Sequence, residues 1–137
     1  MRPGYTLGVM SSTARPDLEA SEHAARVAFP VAAEELSELL GSKLVAYIAG
    51  VREAGAVSQW SRGEREAAAP VAQRLRLALQ AASLIAWHDG ASVARAWFQG
   101  LNPQLDDRSA ARLLREGELD EVGPQILSAA RAFVSAG

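Results

Sequence analysis

Residues 96–117, AWFQGLNPQLDDRSAARLLREG, decide how this chain is read. They bring a tryptophan, an Asn-Pro turn, a helix start at Ser109 and a Leu-Leu pair, and they close on Gly117. Proline lacks the N–H a helix needs, so Asn102-Pro103 marks a turn. Ser109 ahead of an apolar run suits the cap of a new helix. Such a stretch describes a short scaffold that presents a surface to another protein, with no set of groups arranged for a reaction.

Helices extend on either side. Upstream, Val71, Leu75, Ala78, Leu79, Ala82 and Ile85 recur at three- and four-residue steps, as one buried helical face requires. A long helix is therefore expected from Ala68–Pro70 to His88, ended by Asp89-Gly90. Ser92 is expected to cap a helix to Gln99, and Ser109 one to Glu116. Leu119, Val122, Ile126, Ala130 and Phe133 mark the stripe of a last helix to Val134. Within it, Gly123-Pro124 should kink the helix or delay its start to about Pro124.

Nearer the N-terminus, Val31, Leu36, Leu39 and Leu40 suit a helix with Pro30 at its first position and Gly41 as its stop. Ser42 is expected to cap Lys43–Ala49, with Leu44, Val45 and Ile48 inward. After Gly50 a further helix should run from about Arg52 to Arg62, closed by Gly63. Asp17 starts a weakly patterned helix to about Ala28. Residues 1–16 show no period and read as a flexible arm.

Composition narrows the class. Alanine is abundant, aromatic residues make up 6 %, and β-branched runs are missing, so 137 residues point to one compact all-α domain. The expected organisation is an arm at 1–30, a helix-turn-helix-like region at 31–67, and a long connecting helix with a small helical module at 68–137. Without cysteine there is no disulfide or thiolate metal site. No apolar run approaches the ~18 residues that cross a bilayer, and YTLGVM is too short for a leader peptide, so a soluble cytoplasmic protein is expected.

The net charge of −2 hides an uneven distribution. Residues 1–41 carry −3, residues 77–137 carry −2, and residues 42–76 carry +3 from Lys43, Arg52, Arg62, Arg65, Arg74 and Arg76 against three Glu. The basic segment contains LVAYIAGVREAGAVSQWSRG (44–63), which has the rhythm of a helix-turn-helix. Leu44, Val45 and Ile48 would clamp against Val51, Val57 and Trp60 across the Gly50 turn. The outer face of the second helix then offers Arg52, Ser58, Gln59 and Arg62, with Arg65 just beyond, as DNA-binding candidates. Glutamine pairs with adenine, and arginine with guanine or phosphate.

No catalytic set emerges. His88 lies beside Asp89 at a helix end, His23 stands apart, and neither has a suitably placed nucleophile. Asp106-Asp107 and Glu116, Glu118, Asp120 and Glu121 follow no metal-binding pattern, and the glycines follow no phosphate-loop spacing. The chain is expected to be no enzyme and to carry no metal or cofactor. Trp87, Trp97 and Phe98 surround the Asp89-Gly90 turn, with Trp97 read as core.

Taken together, Trp97-Phe98, Asn102-Pro103, Leu105, Ser109-Ala110, Leu113-Leu114 and Gly117 follow the order and spacing of a known toxin-binding segment. In this respect the chain resembles the Xre/MbcA/ParS-type antitoxins over roughly residues 36–137. It departs from them at Asp107, where glycine is common, and at Ala110, where proline is common. The resemblance implies an antitoxin with an autoregulatory helix-turn-helix, paired with a RES-domain toxin that destroys NAD. It also implies that the chain end enters the toxin, which makes Arg131, Phe133, Val134, Ser135 and Gly137 the toxin-binding candidates. Operator DNA and a second copy of the chain, as a homodimer, are the further partners implied. A stand-alone helical regulator or adaptor without a cognate toxin is the alternative.

Overall fold

The computed structural model describes residues 16–136, and the arm expected over 1–16 lies almost wholly outside them. Eight α-helices are present among the described residues, with no strand. They are α1 (Pro16–Arg26), α2 (Phe29–Leu40), α3 (Ser42–Ala49), α4 (Ala54–Ser61), α5 (Ala69–Asp89), α6 (Ala91–Gln99), α7 (Ala110–Glu116) and α8 (Leu119–Ala136). A single 3-10 turn, Pro103–Leu105, interrupts the α6–α7 connection. No described helix is long and apolar enough to cross a membrane.

α5 is the axis. It packs against α1, α2, α3, α6 and α8, so its apolar surface is wider than the stripe read from its period. Leu75, Ala78, Leu79, Ala82 and Ile85 are buried as expected, and Ala81 and Leu84 join them. One continuous core runs from Ala24 to Ala130, with Phe98, Leu36, Ile48, Leu105 and Ile126 fully enclosed. Phe29 meets Trp60 edge-on at 5.9 Å.

Several boundaries differ from expectation. Gly41 and Gly90 each close one helix and open the next: Gly41 N–H donates to Ser37 O while its carbonyl accepts from Val45 N. Gly90 does the same between Ala86 and Ala94. With φ of 87° and 97° these one-residue hinges suit glycine, and they leave Ser42 and Ser92 inside helices instead of capping them. Asp17 likewise sits within α1, which ends at Arg26. Pro30 is preceded by Phe29 in the first turn of α2, where a missing N–H costs nothing. Val31 is exposed, and Ala32 and Ala33 take the inward positions.

The helix expected from Arg52 begins at Ala54. Gly50 takes a left-handed turn (φ 82°) and Val51–Glu53 stay outside regular structure. α8 starts at Leu119, and Pro124 lies inside it without delaying its start.

Candidate functional site

The loop between α6 and α7 is tied to itself. Asn102 Oδ1 accepts from Gln104 N at 2.9 Å, and Asn102 O accepts from Leu105 N and Asp107 N, each at 2.9 Å. Asn102 N donates to Arg108 O at 3.2 Å, closing the loop at its base. Two consecutive non-glycine residues, Asp106 (φ 57°) and Asp107 (φ 60°), hold left-handed backbone to turn the chain. Ser109 Oγ then accepts from Arg112 N at 3.1 Å, the cap read from the sequence.

This loop raises Leu101, 76 % exposed, beside an open groove of about 560 Å³. Val93, Ala96 and Trp97 of α6, with Gly100 just past its end, form one wall. Leu101, Asn102, Pro103 and Gln104 form the rim, and Ala129, Ala132, Phe133 and Ala136 of α8 form the other wall. No lining residue is charged. Trp97 is almost fully buried and braced by Phe98 at 5.2 Å, and it faces Phe133 at 6.5 Å. Phe133 itself stays 38 % exposed. An exposed apolar concavity is a common mark of an interaction surface, and tryptophan is enriched at the hot spots of such surfaces.

The tail candidates divide. Phe133 is in the groove wall, and Val134 packs partly on the core. Ser135 is exposed, and Gly137 lies outside the described residues. Arg131 is turned away from the groove, its Nε donating to Asp17 Oδ2 of α1. Leu101, Pro103 and Gln104 on the groove rim were not among the site residues singled out from the sequence. The signal available was an apolar Leu101 between Gly100 and Asn102-Pro103, where a solvated loop would place a polar residue.

At the other candidate surface, Val45, Ile48, Val57 and Trp60 are buried and Leu44 and Val51 partly so. Ser58, Gln59, Arg62 and Arg65 are exposed on or beside α4, and Arg52 is exposed in the turn ahead of it. Arg62 is engaged by Glu64 through contacts of 3.0 and 3.2 Å. That hydrogen-bonded guanidinium, and then its charge, holds the Glu64 carboxyl below its ordinary range. Arg65 Nη1 donates to Gln59 Oε1 at 3.3 Å.

Two more of the cations that made this segment basic are spent internally. Arg74 Nη1 donates to Ile48 O and Ala49 O at the end of α3, and Arg76 Nη1 to Ala24 O and Val27 O. The cleft between α2 and α4 also places Glu34 and Glu38 beside Ser58 and Arg62. The positive balance along the sequence is therefore not a positive face around α4. The two blocks are joined as well: Arg115 of α7 lies 4.7 Å over the Tyr47 ring of α3 and donates to Tyr47 O at 2.7 Å.

The histidines make surface contacts only, His88 with Asp89 at 3.2 Å and His23 with Glu35 at 2.6 Å. No cluster of three or more metal-ligating side chains occurs among the described residues. Trp87 is 58 % exposed, away from the Trp97 cluster. Compared with protein-family models, curated proteins and solved structures, the chain matches none.

Proposed function

We propose that this chain is a non-catalytic antitoxin that holds a RES-domain toxin inactive by protein–protein contact. The observation that carries the reading is the uncharged groove between α6 and α8, rimmed by Leu101 and Gln104. It is built in large part from the Trp97–Leu105 stretch on which the resemblance to Xre/MbcA/ParS-type antitoxins rests. A partner that buries Leu101 and Phe133 removes apolar surface from water at about 25 cal/mol per Å². Co-expression with a RES-domain toxin, taken from an adjacent gene, tests the proposal. The expected results are co-purification and relief of NAD depletion, and a toxin that neither co-purifies nor is restrained refutes it.

Operator binding by a homodimer is the second part of the proposal, with α3 and α4 as a helix-turn-helix and Ser58, Gln59 and Arg52 as its readers. The stand-alone adaptor remains the second reading, and the neutralised charge around α4 favours it. A gel shift on the chain's own upstream DNA separates the two, since the adaptor leaves that DNA unbound.

A further inference from the structure

α1 has little apolar surface to hold it in place. Among its described side chains, residues 17–26, only Ala20 and Ala24 are buried, and Leu18 is 47 % exposed. By contrast α2 is anchored by Leu36 and Leu40. Beyond its close packing along α5 through Ala20 and Ala24, α1 is fastened by three polar ties to three different helices. At its start, Asp17 accepts from Arg131 Nε of α8. On its flank, His23 Nε2 lies 2.6 Å from Glu35 Oε1 of α2. At its end, Arg76 of α5 donates to Ala24 O in the last turn at 2.9 Å and to Val27 O just beyond it at 2.8 Å. Arg76 thus places a cation on carbonyls that a helix terminus leaves without partners.

The ties have a consequence beyond α1. Its N-terminal end is clasped by α8, within the two turns that carry Ala129, Ala132 and Phe133 into the groove wall. Its C-terminal end is clasped by α5, the axis of the bundle. Elements with few buried apolar contacts and solvent-facing polar links open first and open as units.

We propose that α1 is a strap that detaches as a unit while the core stays folded, and that its release loosens the C-terminal turns of α8. Exposure of the Phe133 wall then depends on whether α1 is docked, which makes the N-terminal region a control on the groove.

Native-state hydrogen exchange of the full chain, read by mass spectrometry, tests this. In the unmodified protein, peptides covering 17–26 should exchange through an opening that leaves 75–85 protected. Among the described residues Arg76 hydrogen-bonds only to carbonyls in α1's last turn and just beyond it. Removing a charged hydrogen-bond donor with Arg76→Ala should raise exchange about tenfold or more at 17–26 and also at 128–134, with 75–85 unchanged. Asp17→Asn, a change at an exposed position, should act in the same direction at both places and serves if Arg76→Ala fails to fold. Raising salt to about 1 M, where the Debye length falls to about 3 Å, should do likewise in the unmodified chain. Exchange of 17–26 only at the rate of 75–85 overturns the strap. Acceleration at 17–26 with 128–134 unmoved overturns its coupling to the groove.

Discussion

Asp106 and Asp107 stand side by side in left-handed backbone (φ 57° and 60°), a conformation that costs an L-residue with a Cβ about 1–2 kcal/mol and glycine almost nothing. Asp107→Gly should therefore stabilise the chain, by about 0.5 kcal/mol once the extra freedom of unfolded glycine is offset. A higher urea midpoint at unchanged slope is the expected reading, and a lower one would show that the aspartate side chain itself holds the loop. The sequence marked Asp107 as a departure from the resembling family's glycine, but it did not assign this residue a left-handed backbone. Gly117 behaves differently. It was read as a helix stop, but a Cβ at this site would lie 2.6 Å from Val122 Cγ1 and 2.9 Å from Leu113 O. Gly117→Ala should cost about 1–3 kcal/mol through that overlap, measured by the same unfolding curve. No spacing in the sequence could disclose a contact made by the next helix.

Among the helices, long periodic segments were legible and junctions were not. α5 and α8 were found because three-and-four spacing is a direct image of a buried stripe. Ser42 and Ser92 misled because a serine beside a glycine looks like a cap. Here the single glycines at 41 and 90 bridge two helices and leave no room for one. At α4 composition counts charge but not placement: Arg62 is paired with Glu64, while Arg74 and Arg76 are turned onto backbone carbonyls.

Two consequences for DNA binding follow. With about two phosphates neutralised per α4, and so about four per homodimer, operator affinity should fall about a hundredfold between 50 and 200 mM salt. A flat response removes the DNA half of the proposal. Glu64→Gln should strengthen operator binding by freeing Arg62, and unchanged affinity would show that Arg62 makes no phosphate contact. The Glu64 carboxyl is depressed, so the pair is intact at neutral pH and is lost only as pH falls through that lowered value. Mild acidification to about pH 5.5, well above the ordinary Glu value, should not imitate the substitution.

On the scale of the whole molecule, the all-α class was legible from alanine content and the absence of β-branched runs, but the groove was not. Its walls come from segments about thirty residues apart, and they meet only because α6 and α8 both pack on α5. The continuous core and the Arg115–Tyr47 contact also argue that the earlier and later helices unfold together. Phe98→Ala should cost about 3–5 kcal/mol and keep a single transition, with far-UV and near-UV signals coincident. Two separated transitions would show independent halves.

The central claim is that an uncharged groove restrains a partner enzyme while performing no reaction. Titrating the NAD consumption of a RES-domain toxin, as the proposed partner, with this chain tests it most directly, using Leu101→Asp and Phe133→Asp as comparisons. The account predicts saturable inhibition by the unmodified chain and at least a tenfold loss of potency in both variants, with their helix content intact. Equal inhibition by all three proteins, or none by the unmodified chain, would contradict it.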